Sequence, residues 1–338
     1  KGGIFVVLLT CFYCSDAQVK YHNLSFVDSI GATSLKPPKD RLLLGSPIST
    51  CMDTNGNIFI LDKDMFKVYK FNNKCELIAE VGREGRGPLE FTLNTRVQNT
   101  GHIKINLEDN LFVFSLYSLR GQLIDNRLTS LIRSNSYTSS GFCYDVAIGK
   151  QGKIYLMSQN QEKKTLIDMY DKDGNYVNSF CEMIVVDPPE KYAATFNNMR
   201  LAVNMYGEIL AVNEKNPIIR KFDENGKQLY EKRLKLKYFQ RQLKNNPDIV
   251  ELNNRKLRND EMLQSIIRGV CADKGNYYLL LMYDIVVKLS RKGYITDVYT
   301  LNFGRYQDSD DCFGFDFAVR GEYIVLATMN SLGLVYKM

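Results

Sequence analysis

The chain has 338 residues, 45% of them hydrophobic and 24% charged, with 18 Phe, 21 Tyr and no Trp. This is ordinary globular composition; it excludes a disordered chain, and the length allows one large repeat domain or two of usual size. The net charge of +6 is local, because between Lys232 and Arg268 ten Lys and Arg stand against four Asp and Glu. That accounts for the whole excess, so the sequence excludes a surface that tracks a phosphate backbone, and no nucleic-acid partner is expected.

Residues Lys1 to Tyr13, KGGIFVVLLTCFY, place a cation before a short apolar run, the layout of a secretory signal and too short for a membrane span. Residues 1–17 are therefore predicted to be a leader, and residues 18–338 a single domain. Cys11, after Leu8-Leu9-Thr10, and Cys14, before Ser15-Asp16, are both candidates for the lipid-bearing cysteine of a bacterial lipoprotein. Ser15 and Ala17 equally satisfy the small-residue rule for ordinary cleavage before Gln18. Each route puts the mature domain outside the cytoplasm, in the cell envelope, with membrane contact only through such an anchor.

The stretch from Cys51 to Phe91 sets the pattern for the rest of the chain. Asn55-Gly56 supplies the positive φ of a tight hairpin before a strand over Asn57–Leu61. Further strands are expected over Lys67–Phe71 and Leu77–Val81, and the run before Asn55 supplies a first. Four antiparallel strands in this order make one blade of a β-propeller. The glycine that opens the inner hairpin recurs before an apolar strand at Gly101, Gly152, Gly207, Gly275 and Gly321. A second marker follows each of the first five, at Lys74, Gly121, Gly174, Gly226 and Gly293. Two coupled markers predict an all-β chain of six blades. The blade around Gly101 is the least regular, and Lys74 stands where glycine is easier.

After Gly321 the sequence holds too little for a full sixth blade. The segment Val19 to Ile30, VKYHNLSFVDSI, is expected to supply the missing outer strand and close the ring. Between blades four and five, residues 235–268 read as a helical insertion: apolar residues from Leu243 through Ile267 suggest short turns with one apolar side, broken at Asn246-Pro247 and capped at Asn259. The long loops, Gly82–Phe91, Met183–Asn198, this insertion and Gly304–Phe315, belong to one face. The hairpin face looks plain beside it, so recognition is expected on the long-loop face.

The run GREGRGPLEF, with Gly82, Gly85, Gly87, Pro88 and Phe91, resembles the G-x-x-G-x-G-P-x-x-F signature of bacterial six-bladed propellers of the NHL and TolB-like kind. With the leader, the match is similar to the envelope propellers of Bacteroides-type bacteria, many of them lipoproteins. The resemblance implies binding or scaffolding outside the cell, with a glycan, peptide or envelope protein as partner, and implies no particular reaction.

Candidate site residues are few. Arg83, Arg86 and Glu90 lie in the first long loop with Phe91. Two guanidinium groups there suit a carboxylate or sulfate; alternatively Gly87-Pro88 shapes the turn, Phe91 plugs between blades and the arginines tie loops together. Only His22 and His102 are present, which excludes a multi-histidine metal site; both are read as structural. Asp308-Ser309-Asp310-Asp311 lacks the spacing of a calcium loop and reads as a solvated turn. The six cysteines beyond the leader are scattered without metal-site spacing, and an export route permits a disulfide. No nucleophile elbow, P-loop or dinucleotide fingerprint occurs, and neither cofactor nor metal is expected. The expected function is a binding or interaction module; a lyase or lactonase acting at the central channel, and a structural scaffold, are the alternatives.

Overall fold

In the computed structural model the described residues are 19–30, 44–96, 100–139, 141, 143–184, 196–236, 265–281, 284–302, 314–328 and 333–338. The leader with Cys11 and Cys14, nearly all of the expected insertion, and the acidic run at 308–311 lie outside them. So do most of the second long loop and the loop from Gly304 except its end. The described strands form six antiparallel sheets, each running outward from an inner strand. The inner strands are Pro47–Met52, Gly101–Ile105, Cys143–Ile148, Met199–Val203, Ile267–Asp273 and Gly314–Arg320. Successive inner strands pack against one another around the ring, the sixth against the first. The protein is a six-bladed β-propeller.

Burial explains the strand sequences. The second strand of each blade lies between neighbours on both faces, and it reads as an unbroken apolar run, as in Ile58–Asp62 and Leu111–Ser115, where every residue is buried. Outer strands have one wet face and alternate, as in Gln228–Arg233. The apolar core is divided accordingly. Six clusters of buried residues occur among the described residues, one at each junction between blades. Leu210 and Val212 of blade four, for instance, share a cluster with Leu279 and Val287 of blade five. No blade has a core of its own, so each depends on both neighbours.

The hairpins at the channel end are built on an Asx turn. Asp53 Oδ1 accepts from the backbone N–H of Asn55 and Asn57. Asn106 and Asn204 repeat the pattern. Gly56 and Gly207 then take the left-handed position, with φ of 80° and 82°. In blade two that position belongs to Asp109, at φ 60°. Gly101 therefore does not open the hairpin of blade two, and HIKIN is its inner strand. The second marker moves likewise: Gly121 lies within the third strand, Arg120–Ile124, and Leu128 takes the left-handed place in the outer turn. In blade one the left-handed residue is Cys75 in place of Lys74. The blade count stands because the Asx residue holds the turn whether or not glycine comes after it.

The amino-terminal segment serves two blades. Phe26–Ile30 pairs antiparallel with Gly333–Lys337 as the outermost strand of blade six. Lys20–Leu24 pairs in parallel with Ile295–Leu301 as a fifth strand of blade five. There His22 stacks on Tyr299 with ring centroids 4.9 Å apart, and its Nε2 lies 3.1 Å from Asp297 Oδ1. At the junction of blades four and five, Ile267 and Arg268 are not helical: they open the inner strand of blade five, and Ile267 is fully buried in the cluster shared by the two blades. β-Branched side chains packed on both sides favour that extended state.

Deleting residues 19–30 exposes two sheet edges and removes the buried Leu24 and Ile30. Burial of two such side chains contributes about 3–6 kcal/mol. At roughly 2 °C per kcal/mol, melting followed by circular dichroism should fall by about 6–12 °C, and unchanged melting would remove the closing role. A second test concerns Glu208, which accepts from Arg291 Nη2 at 2.8 Å and Asn204 Nδ2 at 2.8 Å and pairs with Lys221 Nζ at 2.6 Å. Burial opposes its ionisation, but these donors outweigh burial and lower its carboxyl to about 2. The folded value is depressed, so this stability is present above the unfolded carboxylate range near about 4.3 and is lost as pH falls toward about 2. Glu208→Gln should flatten the acid limb of stability against pH, by roughly 1–2 kcal/mol after solvent screening; an acid limb identical to that of the parent chain refutes this.

Candidate functional site

The first long loop is closed on itself. Arg83 Nε donates to Glu90 Oε1 at 2.8 Å and Arg83 Nη2 lies 2.7 Å from the same oxygen. Gly87 N–H donates to the other carboxylate oxygen at 2.7 Å. The Gly87 N–H and Arg83 hold Glu90 below the usual carboxylate range. Gln122 of blade two brackets the loop, accepting from Leu89 N–H at 2.9 Å and donating to Glu90 O at 2.6 Å. Arg120 donates to Arg86 O, and the Arg86 residue is exposed. Phe91 is buried between blades one and two. A methyl group on Gly82, at φ 116°, would collide with the Phe91 ring. The glycine-proline run thus seats Phe91 and Glu90, and the charge of Arg83 is spent on Glu90.

The inner strands converge elsewhere. In four of them a register shift precedes Ser49, Asp145, Gly269 and Asp316, which places these residues at one level. Asp316 Oδ2 accepts from Ser49 Oγ at 2.6 Å and Thr50 N–H at 3.2 Å, bridging blades six and one. Asp145 Oδ2 accepts from Leu201 N–H at 2.8 Å, bridging blades three and four. Ser49 Oγ accepts from Ile103 N–H at 3.1 Å, bridging blades one and two. The remaining carboxylate oxygens take the N–H of Val146 and Phe317. The same bonds align blades two and four with the rest and bring His102 and Arg200 to this level.

This level carries charge deep in the protein. Burial opposes ionisation of Asp145, but Lys104, His102, Arg200 and the Leu201 N–H together hold its carboxyl below the usual range. Arg200 Nε also lies 2.6 Å from Glu214 Oε1. Burial lowers His102, and the attraction of Asp145, whose Oδ1 is 3.6 Å from its Nε2, does not restore it. The imidazole is neutral at pH 7 and donates from Nε2 to Tyr144 O at 3.3 Å. Its Nδ1 is buried without a hydrogen bond. Because every Asp145 and Asp316 oxygen already accepts from a neighbour, the two carboxylates are fitted to hold the ring and poorly fitted to take a substrate proton.

Two residues further along each strand the wall changes. The aligned positions are Cys51, Lys104, Ala147, Ala202, Cys271 and Ala318: five small side chains and one lysine. One residue beyond, all six strands are apolar, at Met52, Ile105, Ile148, Val203, Ala272 and Val319. The space they leave is a cavity of about 670 Å³ on the axis, lined by residues of all six inner strands. It is bounded outward by the hairpin turns, at Thr54, Leu107, Met205, Lys274 and Glu322, all exposed. Burial opposes the charge on Lys104, but Asp145 and Asp316 more than offset it and raise its pKa. Burial pushes the Cys51 and Cys271 thiols up, so both are protonated wall atoms. Cys51, Cys143, Cys181 and Cys271 are free thiols.

The described cavity thus opens on the hairpin face, and its innermost cation, Lys104, is not among the residues singled out from sequence. One signal for the polar ring was present: Tyr144-Asp145-Val146-Ala147-Ile148 and Phe315-Asp316-Phe317-Ala318-Val319 repeat an aromatic-Asp-apolar-Ala-aliphatic run. No signal in HIKIN itself sets Lys104 apart from an ordinary alternating strand residue.

No family model matches the chain, and no curated protein matches it in sequence. Solved structures do. A virginiamycin B lyase from Staphylococcus aureus matches with a TM-score of 0.51 at 11% identity, covering 88% of this chain and 98% of that one. A protein of unknown function from Bacteroides thetaiotaomicron VPI-5482 matches with a TM-score of 0.53 at 10% identity, covering 92% of this chain and 75% of that one. At these identities the likeness shows the propeller fold alone.

Asp145→Ala leaves the Leu201 N–H without its acceptor and removes the first of the two buried counter-charges of Lys104 and one of those of Arg200. The expected loss is about 3–5 kcal/mol, read from urea unfolding; a loss under 1 kcal/mol would show that the bridge is dispensable.

Proposed function

We propose that the protein is a binding module that takes a small ligand, or the tip of a longer one, into the axial cavity from the hairpin face. The observation that carries this reading is the cavity itself. It is a concave space of about 670 Å³ to which every blade contributes, within the roughly 300–1,000 Å³ of ordinary ligand sites. Along the inner strands its wall is apolar apart from Thr50 and Lys104, and polar and charged residues, Asp273, Lys274, Arg320 and Glu322 among them, gather at the mouth, a composition that binds by burial and orients by a few polar contacts. Rigid β-ladders surround it, so the site is organised before a ligand arrives. An address in a bacterial envelope, with the domain exported and lipid-anchored, is part of the proposal. It is supported by the layout of residues 1–17 and by the NHL and TolB-like resemblance of the first long loop.

Binding is favoured over catalysis by the state of the ionisable groups. The two axial carboxylates are engaged by backbone N–H groups, the histidine is buried, and the cavity thiols are protonated. The test is a thermal-shift screen of the full chain against peptides, acidic sugars and small amphiphiles, repeated on Ala272→Trp, which fills the cavity at its apolar level. An upward shift with one ligand class that disappears in Ala272→Trp is expected. A shift that survives Ala272→Trp and is lost on changing Arg83 and Arg86 would move binding to the long-loop face.

A further inference from the structure

The cavity has an axis of polarity that narrows what it takes. At the level of Lys104 the aligned residues of the other five inner strands are Cys or Ala, and four of them, Cys51, Ala202, Cys271 and Ala318, line the cavity with it above a floor of Thr50, Leu201, Val270 and Phe317. Small neighbours leave room in front of the ammonium. Among the described residues Lys104 has no hydrogen bond and no ion pair, although it lines the cavity. Its counter-charges are near but occupied: Asp316 is held by Ser49 and Thr50, and Asp145 by Leu201. They keep the lysine charged and do not take up its three N–H donors. The next level outward is apolar in all six strands, and the mouth sets the exposed side chains of Leu107 and Met205 beside Lys274, Glu322 and the Arg320–Asp273 pair.

The geometry points to an amphiphilic carboxylate as the ligand class: an anionic head on Lys104, an apolar body through the ring formed by Ile105, Ile148, Val203 and Val319, and a tail at the hairpin mouth. This rests on the axial-cavity reading and gives it a ligand. The lining runs from Lys104 through Ile105 to the turn residue Leu107, so a chain of eight carbons probes head, ring and mouth together. A cation at the bottom of an apolar well favours a charged acceptor, because low local dielectric strengthens the contact and the apolar wall penalises a second polar group.

Isothermal titration of the full chain with sodium octanoate, octan-1-ol and sodium acetate tests the assignment, on the parent chain, Lys104→Met and Ala272→Trp. The parent should bind octanoate at least tenfold more tightly than octan-1-ol, and acetate more weakly than either. Lys104→Met should weaken octanoate at least tenfold and leave octan-1-ol within threefold, which also shows that the variant folds with its cavity intact. Octanoate binding equal in the parent and Lys104→Met overturns the proposal, as does a parent that prefers octan-1-ol. If neither eight-carbon probe binds while another ligand does and Ala272→Trp blocks it, the amphiphile assignment falls and the cavity reading stands. If octanoate binding survives Ala272→Trp, the cavity reading falls with it.

Discussion

An inner strand of a propeller has a second strand on one side and no strand on the other, so its channel edge carries backbone N–H groups that need acceptors. In this protein the acceptors at one level come from the preceding blade. Ser49, Asp145 and Asp316 reach across three of the six junctions to the N–H of Ile103, Leu201 and Thr50. An orphaned buried N–H costs about 1–3 kcal/mol, comparable with a good fraction of a domain's stability. The same bonds fix the height of each blade against the next. Everything else about the axis depends on that alignment, because a blade slipped by one residue would bring the wrong side chains to the channel.

The alignment separates two kinds of polar chemistry that lie two residues apart. Ser49, His102, Asp145, Arg200 and Asp316 form a level whose contacts are with one another, with Glu214 and with backbone. Lys104, two residues further along, feels that level electrostatically and makes no hydrogen bond or ion pair with it. The carboxylates therefore have two effects at different ranges. By direct contact they brace the ring, and by their field they keep an ammonium charged at the base of an apolar cavity. The structural and binding roles fall on separate side chains, which is why removing the lysine need not disturb the frame.

The sequence announces hairpins well where the left-handed turn residue is glycine. Asn55-Gly56, Asp173-Gly174 and Asn225-Gly226 are of this kind. It misleads in blade two, where Asp109 and Leu128 take the left-handed positions and glycines within the strands stand nearby. The more durable mark is the Asx residue three positions earlier, since Asn106 and Asp125 make the same turn bonds as their counterparts. The axial site is harder to read for a different reason. Each of its residues sits in a separate strand, and its meaning depends on what the other five strands place at the same height. Lys104 is unusual only beside Cys51, Ala147, Ala202, Cys271 and Ala318. That comparison requires a register, which one sequence does not supply.

The closing segment has a consequence for the order in which the protein is made. Residues Lys20 to Ile30 leave the ribosome before any inner strand of the ring, yet their partners are Asp297 to Leu301 and Gly333 to Tyr336. With no core of their own, the intervening blades can dock pairwise as they emerge, while the first strands stay without a sheet until the last is complete. Contacts so distant in sequence are slow to form. The strands of the ring that are synthesised earliest are thus the last to be incorporated, and while the blades are being made the ring has two open flanks that something other than its own strands must keep from pairing with a neighbouring chain.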